Sequence, residues 1–252
     1  MSRHLYILTG ASRGLGHAMA RQLLAQGHAL LTLSRNPDAA LAAQAQAHGA
    51  HLEQWAMDLG QVREAVERFE IWLAQVEPGG LDRVALINNA ALLPTVVPLS
   101  ELEGPELTQT IRVGLEAPMA LTGAFLRVTE HWPCDRRVLN VSSGLGRRPM
   151  ASQAAYCAVK AGMDHFTRCV ALEEALRERG ARVCSLAPGV IDTDMQVHLR
   201  ESNPMTFPDL GSFKLLKEHG ALSTPEQAAA KVLARLMRDD FGSEPVADVR
   251  HD

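Results

Sequence analysis

The feature that most constrains this chain is a regular alternation of short apolar runs with longer amphipathic stretches. Leu5–Leu8, Ala29–Leu33, His51–Ala56, Arg83–Ile87, Arg137–Val141 and Arg182–Leu186 read as strands. Gly14–Gln26, Asp38–Ala47, Gln61–Val76, a long region from about Pro105 to Glu130, and Ala154–Arg179 read as the helices between them. A run that is apolar along its whole length suits a parallel strand covered on both faces. Repeated strand–helix–strand units with right-handed crossovers then predict an α/β fold built on a doubly wound parallel sheet.

A turn rich in glycine follows the first strand: Thr9-Gly10-Ala11-Ser12-Arg13-Gly14-Leu15-Gly16. Glycines there permit a tight turn and bring backbone amides close to a pyrophosphate, with the next helix pointing its N-terminus at the anion. The spacing is G-x-x-x-G-x-G, and its place at the first strand–helix junction makes the sheet Rossmann-type. The second strand ends in Leu33-Ser34-Arg35, where a carboxylate would hold the 2′-hydroxyl of NAD. Arg35, with Arg13 as a second cation, instead suits a 2′-phosphate, so NADP(H) is the expected cofactor.

At 252 residues the chain is expected to be a single domain over 1–252, since nothing in its composition divides it. Met195–Thr224 breaks the regular alternation and carries Pro204, Pro208, Gly211 and Gly220. It is read as a substrate-binding lid, residues 195–224, after the sixth strand. Pro245–Val249 offers a weak final strand. The formal charge of −4 leaves no basic excess for a nucleic acid partner. No apolar stretch is long enough to span a membrane, and Leu5–Leu8 is too short for the core of a signal peptide. The four cysteines show no metal or disulfide spacing, which fits a cytoplasmic protein, and the ten histidines suggest no metal site.

Only two tyrosines occur, Tyr6 and Tyr156. Tyr156 and Lys160 are four residues apart on a predicted helix, hence on one face. An ammonium beside a phenol favours the phenolate and makes it a better acid–base group near neutral pH. Ser142-Ser143 follows the strand ending at Val141, and a hydroxyl at that sheet edge would polarise a substrate carbonyl.

Thr9–Gly16, Asn88-Asn89-Ala90, Val141-Ser142-Ser143, Tyr156-x-x-x-Lys160 and Pro188-Gly189-x-x-x-Thr193 occur in one order, and together they resemble the short-chain dehydrogenase/reductase family. The resemblance runs from Tyr6 to about Met195. It implies that Tyr156 is the general acid, that Lys160 lowers its pKa and holds the nicotinamide ribose, and that Ser143 rather than Ser142 is the catalytic serine. It also implies cofactor contacts at Gly10, Ser12, Gly14, Leu15, Gly16, Asp58, Leu59, Asn89, Pro188, Gly189, Ile191 and Thr193. Two positions depart from the family pattern: Ala91 stands where a glycine is usual, and Gly114 where the family has a catalytic Asn. Gly114 and Pro118 are expected to kink their helix, and Gly114→Asn is expected to leave turnover unchanged or raise it.

The segments Tyr156–Ala161, Val170–Glu174 and Leu186–Gln196 look like the sepiapterin reductase and bacterial benzil reductase branch. That branch implies NADPH-dependent reduction of a carbonyl, in an α-dicarbonyl or a pterin side chain, with Ser143, Tyr156 and Asp248 facing a small-molecule substrate. The alternatives are a cofactor-sensing or scaffold protein on the same fold, or a reductase of another ketone, hydroxysteroid or sugar. The resemblance further implies a homodimer or homotetramer paired through Pro105–Glu130 and Ala154–Arg179.

Overall fold

The computed structural model describes residues 4–251, so the ends of the 1–252 expectation, residues 1–3 and 252, lie outside the described residues. The first half of the chain forms β1 (His4–Thr9), α1 (Gly14–Ala25), β2 (Ala29–Ser34), α2 (Ala39–His48), β3 (Leu52–Ala56), α3 (Val62–Gln75) and β4 (Arg83–Asn88). Then come α4 (Gly104–Ile111), a π turn (Arg112–Glu116), α5 (Ala117–Val128), β5 (Asp135–Val141), α6 (Ala154–Ala175) and β6 (Arg182–Ala187). The chain closes with α7 (Asp194–Arg200), α8 (Leu210–Glu218), α9 (Pro225–Met237) and β7 (Val246–Asp248). All seven strands are parallel, in the order β3-β2-β1-β4-β5-β6-β7, within a single domain.

The period of two along each strand divides the core. Ile7, Leu31, Leu86 and Val138 pack on the face covered by Phe69 and Leu73 of α3 and Leu121 and Phe125 of α5. Tyr6, Leu8, Ala85, Ile87 and Leu139 pack on the opposite face, against Met19 and Leu24 of α1 and Val232 and Leu236 of α9. The strand order reverses between β1 and β4, and such a reversal opens a crevice at the carboxyl ends of the strands.

Strand positions agree with the sequence reading to within a residue or two, and two helices differ. The region expected as one helix from Pro105 to Glu130 is divided by the π turn. Pro118 has no N–H to give the carbonyl of Gly114 and its ring crowds that carbonyl, so the wider turn absorbs the conflict. The helix expected to reach Arg179 stops at Ala175, where the Glu174 carboxylate accepts a hydrogen bond from Ala181 N at 2.8 Å. Segment 195–224 is half helical, holding most of α7 and all of α8. Leu199, Phe207, Leu210 and Phe213 form a small core of their own with Val96 and Met150. Among the described residues no helix is long and apolar enough to cross a membrane.

Candidate active site

The loops leaving the carboxyl ends of β1, β4, β5 and β6 converge on one cavity of about 1110 Å³. It is lined by Gly10, Ser12, Arg13, Gly14, Leu15, Gly16, Arg35, Asp58, Leu59, Asn89, Ser143, Tyr156, Lys160, Pro188, Gly189, Ile191 and Thr193. Every site residue expected from the sequence is therefore gathered in one place, with the exception of Asp248.

The glycine loop is shaped for close approach. Gly10 and Gly14 have φ of 72° and 55°, a region that favours glycine. A Cβ on Gly16 would lie 2.1 Å from the Gly10 carbonyl oxygen, so only glycine lets α1 begin this tightly against the turn. Asn89 fastens the loop from the other side of the crevice, its Nδ2 donating to the carbonyls of Thr9 (3.0 Å) and Gly10 (3.1 Å). Ser34 Oγ accepts from Ala11 N at 2.9 Å and ties the end of β2 to the same turn. Arg35 is exposed beside it and forms no side-chain hydrogen bond or ion pair with another described residue, whereas Arg13 lies 3.4 Å from Asp194. Glycine cradle, helix N-terminus and cavity size all fit a dinucleotide.

Helix α6 presents Tyr156 and Lys160 to the cavity. Burial pushes the Tyr156 phenol up to about 12, opposed by a hydrogen bond with Ser143. Burial pushes Lys160 down to about 8, opposed by the charge of Asp164. Lys160 Nζ donates to the Val141 carbonyl at 2.7 Å and lies 5.7 Å from the Tyr156 ring centroid. In the structure burial raises the Tyr156 pKa, and the hydrogen bond with Ser143 is the contact that favours the phenolate. Ser143 is an extended residue at the end of β5, and its hydroxyl also accepts from Leu145 N at 3.2 Å.

Three further expectations change. Asp248 is buried at the end of β7, and its carboxylate accepts from Arg250 Nε (2.9 Å), Nη2 (2.6 Å) and N (3.0 Å). Both carboxylate oxygens are taken, and Arg250 rather than Asp248 lines the cavity. Gly114 is buried, and a Cβ there would meet Val159 Cγ1 at 2.6 Å, so an Asn would require the Val159 side chain, on the helix that carries Tyr156, to move. Ala91 is unstrained, since the only non-glycine with positive φ among the described residues is Ser152.

Residues that the sequence did not single out form the apolar wall: Leu93, Leu145, Met150, Met195, Leu199 and Phe213. Met195 Sδ lies 4.0 Å from the Tyr156 hydroxyl. For Met195, Leu199 and Phe213 the signal is the break in alternation at Met195–Thr224, which marks the segment without marking its side chains; Leu93, Leu145 and Met150 carry no such signal.

Comparison with known proteins gives the family. Residues 4–204 match the family described as short chain dehydrogenase, and the chain belongs to that family. It is 35% identical over 235 residues to a benzil reductase ((S)-benzoin forming) of Bacillus cereus, covering 93% of this chain and 94% of the relative. It is 34% identical to a sepiapterin reductase of Meriones unguiculatus, covering 94% and 92%. Among solved structures, the KRED1-Pglu enzyme is similar with a TM-score of 0.78 at 27% identity, covering 96% of this chain and 99% of that one. The chain is an oxidoreductase acting on carbonyl or alcohol groups.

Proposed function

We propose that this enzyme reduces one ketone of a 1,2-dicarbonyl compound with NADPH, and that Tyr156 is the general acid. The observation that carries this reading is the meeting of Ser143, Tyr156 and Lys160 in the cavity that the glycine loop and Arg35 also line. When bound, the reduced nicotinamide supplies the hydride. Ser143 donates a hydrogen bond to the carbonyl oxygen, offsetting the charge that develops there. Tyr156 gives that oxygen its proton. Lys160, held on the Val141 carbonyl, keeps a positive charge beneath the phenol and holds the cofactor ribose. Gly10, Gly14 and Gly16, in a loop fixed by Asn89, would hold the pyrophosphate, Asp58 and Leu59 would hold the adenine, and Pro188, Gly189, Ile191 and Thr193 would hold the nicotinamide.

Two observations support a dicarbonyl over a pterin. The carboxylate that would match a pterin's donors is occupied by Arg250. The wall at the substrate end is aliphatic and Met-rich, suited to an apolar diketone. The relatives named benzil reductase point the same way. Segment 195–224 serves as the lid, closing over the substrate from α7 and α8. A second copy of the chain in the cytoplasm would pair through Pro105–Glu130 and Ala154–Arg179, which leave Met119, Leu172 and Leu176 exposed.

The test is NADPH oxidation with a panel of diketones that includes benzil and 1-phenyl-1,2-propanedione, alongside sepiapterin. Turnover of the diketones is expected. Tight NADPH binding without turnover of any of them would favour the sensor or scaffold reading instead.

A further inference from the structure

We propose that Asp164 is a positioning residue of this catalytic centre, fixing the seat of Lys160 and supplying the buried negative charge that keeps its ammonium protonated. The inference rests on the role given to Lys160 above. Asp164 lies one turn beyond Lys160 on α6, on the same helix face. Its side chain is 2% exposed. Oδ1 accepts from Ser142 Oγ and from Ser185 Oγ, each at 2.6 Å. Oδ2 lies 3.3 Å from Nε of Arg147, in the turn that follows Ser143.

One carboxylate thus joins the end of β5, the middle of β6 and the turn of the catalytic serine. The Val141 carbonyl that holds Lys160 belongs to the residue just before Ser142. Gly146 is part of the same design, since a Cβ there would meet Asp164 Oδ2 at 2.8 Å and the Lys160 carbonyl oxygen at 2.9 Å. Two hydroxyl donors on one oxygen and a guanidinium beside the other suit an acceptor-only carboxylate.

The charge balance points the same way. A fully buried ammonium loses its hydration and sheds its proton unless an anion faces it. The titratable and charged groups facing Lys160 and its carboxylate are Tyr156 and Asp164 from α6 and Arg147 from the turn. Strands β5 and β6 present the Val141 carbonyl and the Ser142 and Ser185 hydroxyls. Asp164 is the anion in this set, and it opposes the effect of burial on Lys160.

The chain contains four lysines, Lys160, Lys214, Lys217 and Lys231, so lysine labelled at 13Cε gives a spectrum simple enough to titrate. Loss of one signal in Lys160→Arg assigns the buried residue. In Asp164→Asn the Lys160 titration is expected to move down by about one pH unit. The alkaline limb of kcat for diketone reduction should move with it, because activity is present below the lysine's pKa and lost as pH rises through it. Arg147→Gln removes a cation that competes for the same carboxylate, so both readouts are expected to move up. Ser185→Ala removes one hydrogen bond and no charge, and should leave both in place. A Lys160 titration that stays put in Asp164→Asn overturns the proposal. If that variant does not fold, an unmoved titration in Arg147→Gln overturns it. A wild-type protein that reduces no diketone would sink the proposed function, while the lysine titration would still decide the role of Asp164.

Discussion

The two ends of strands β5 and β6 each carry a cluster of buried charge built around one aspartate, and only one of them belongs to a site. At the amino end, Asp135 meets Arg83 Nε (2.8 Å), Arg137 Nε (2.7 Å) and Arg182 Nη2 (2.7 Å). Arg137, fully buried, also donates to the carbonyls of Leu236 and Arg238 at the end of α9. At the carboxyl end, Asp164 meets Ser142, Ser185 and Arg147, with Lys160 one turn away. The first cluster turns inward, and none of its four members lines the large cavity. The second sits behind the groups that do. Density of charge does not separate them. What separates them is the end of the strand: in an open parallel sheet ligands are received where the strands end and the loops diverge.

The contrast breaks most sharply at Tyr156. Removing its hydroxyl with Tyr156→Phe is expected to lower kcat about 10³-fold, the scale of a lost general acid. NADPH affinity and the urea midpoint should stay at wild-type values. Retained turnover would mean that the carboxyl-end cluster is as purely structural as the other.

The reverse outcome is expected at the amino end. Asp135→Asn leaves three arginines without their shared anion, one of them fully buried. With Asp135 and Arg182 partly exposed, removing the shared anion costs about 2 kcal/mol, below the range of a fully buried pair. Urea denaturation should show that loss while kcat and its pH profile are unchanged. A shifted pH profile would show that the two clusters communicate through β5.

How much of this was legible in the sequence follows from how local each signal is. The strands were plain because a run such as Val84–Ile87 is apolar at every position, and only a parallel strand buried on both faces tolerates that. Tyr156 and Lys160 were plain because four residues on a helix is a fixed geometry. The division of the Pro105–Glu130 helix is half legible: Gly114 and Pro118 announce a kink, while its form as a π turn over Arg112–Glu116 is not written in the local sequence. The helices of segment 195–224 were masked by Pro204, Pro208, Gly211 and Gly220, since their apolar residues pair with Val96 and Met150 from distant parts of the chain. The sequence points to Asp248 as a substrate anchor because Arg250, two residues on, gives no sign in it of folding back onto the carboxylate. Asp164 is not legible in the sequence because its partners come from three separate elements.

The smallest expected effect tests the cofactor end of the cavity against the catalytic end. Arg35 stands exposed at the end of β2, next to the loop that Ser34 fastens, and its guanidinium engages no other described side chain. A 2′-phosphate would give it a charge-assisted partner, whereas a 2′-hydroxyl offers only a weak one. Arg35→Ala is therefore expected to weaken NADPH binding about tenfold, or about 1.4 kcal/mol, with NADH binding unchanged. Fluorescence titration of both cofactors measures the two values directly. Raised salt should narrow the difference between wild type and variant, because the pair is exposed and screened. Equal losses for both cofactors would place Arg35 against the shared part of the dinucleotide and remove the argument for NADP(H). An unchanged NADPH affinity would shift the burden to Arg13, which must then leave Asp194 to meet the phosphate.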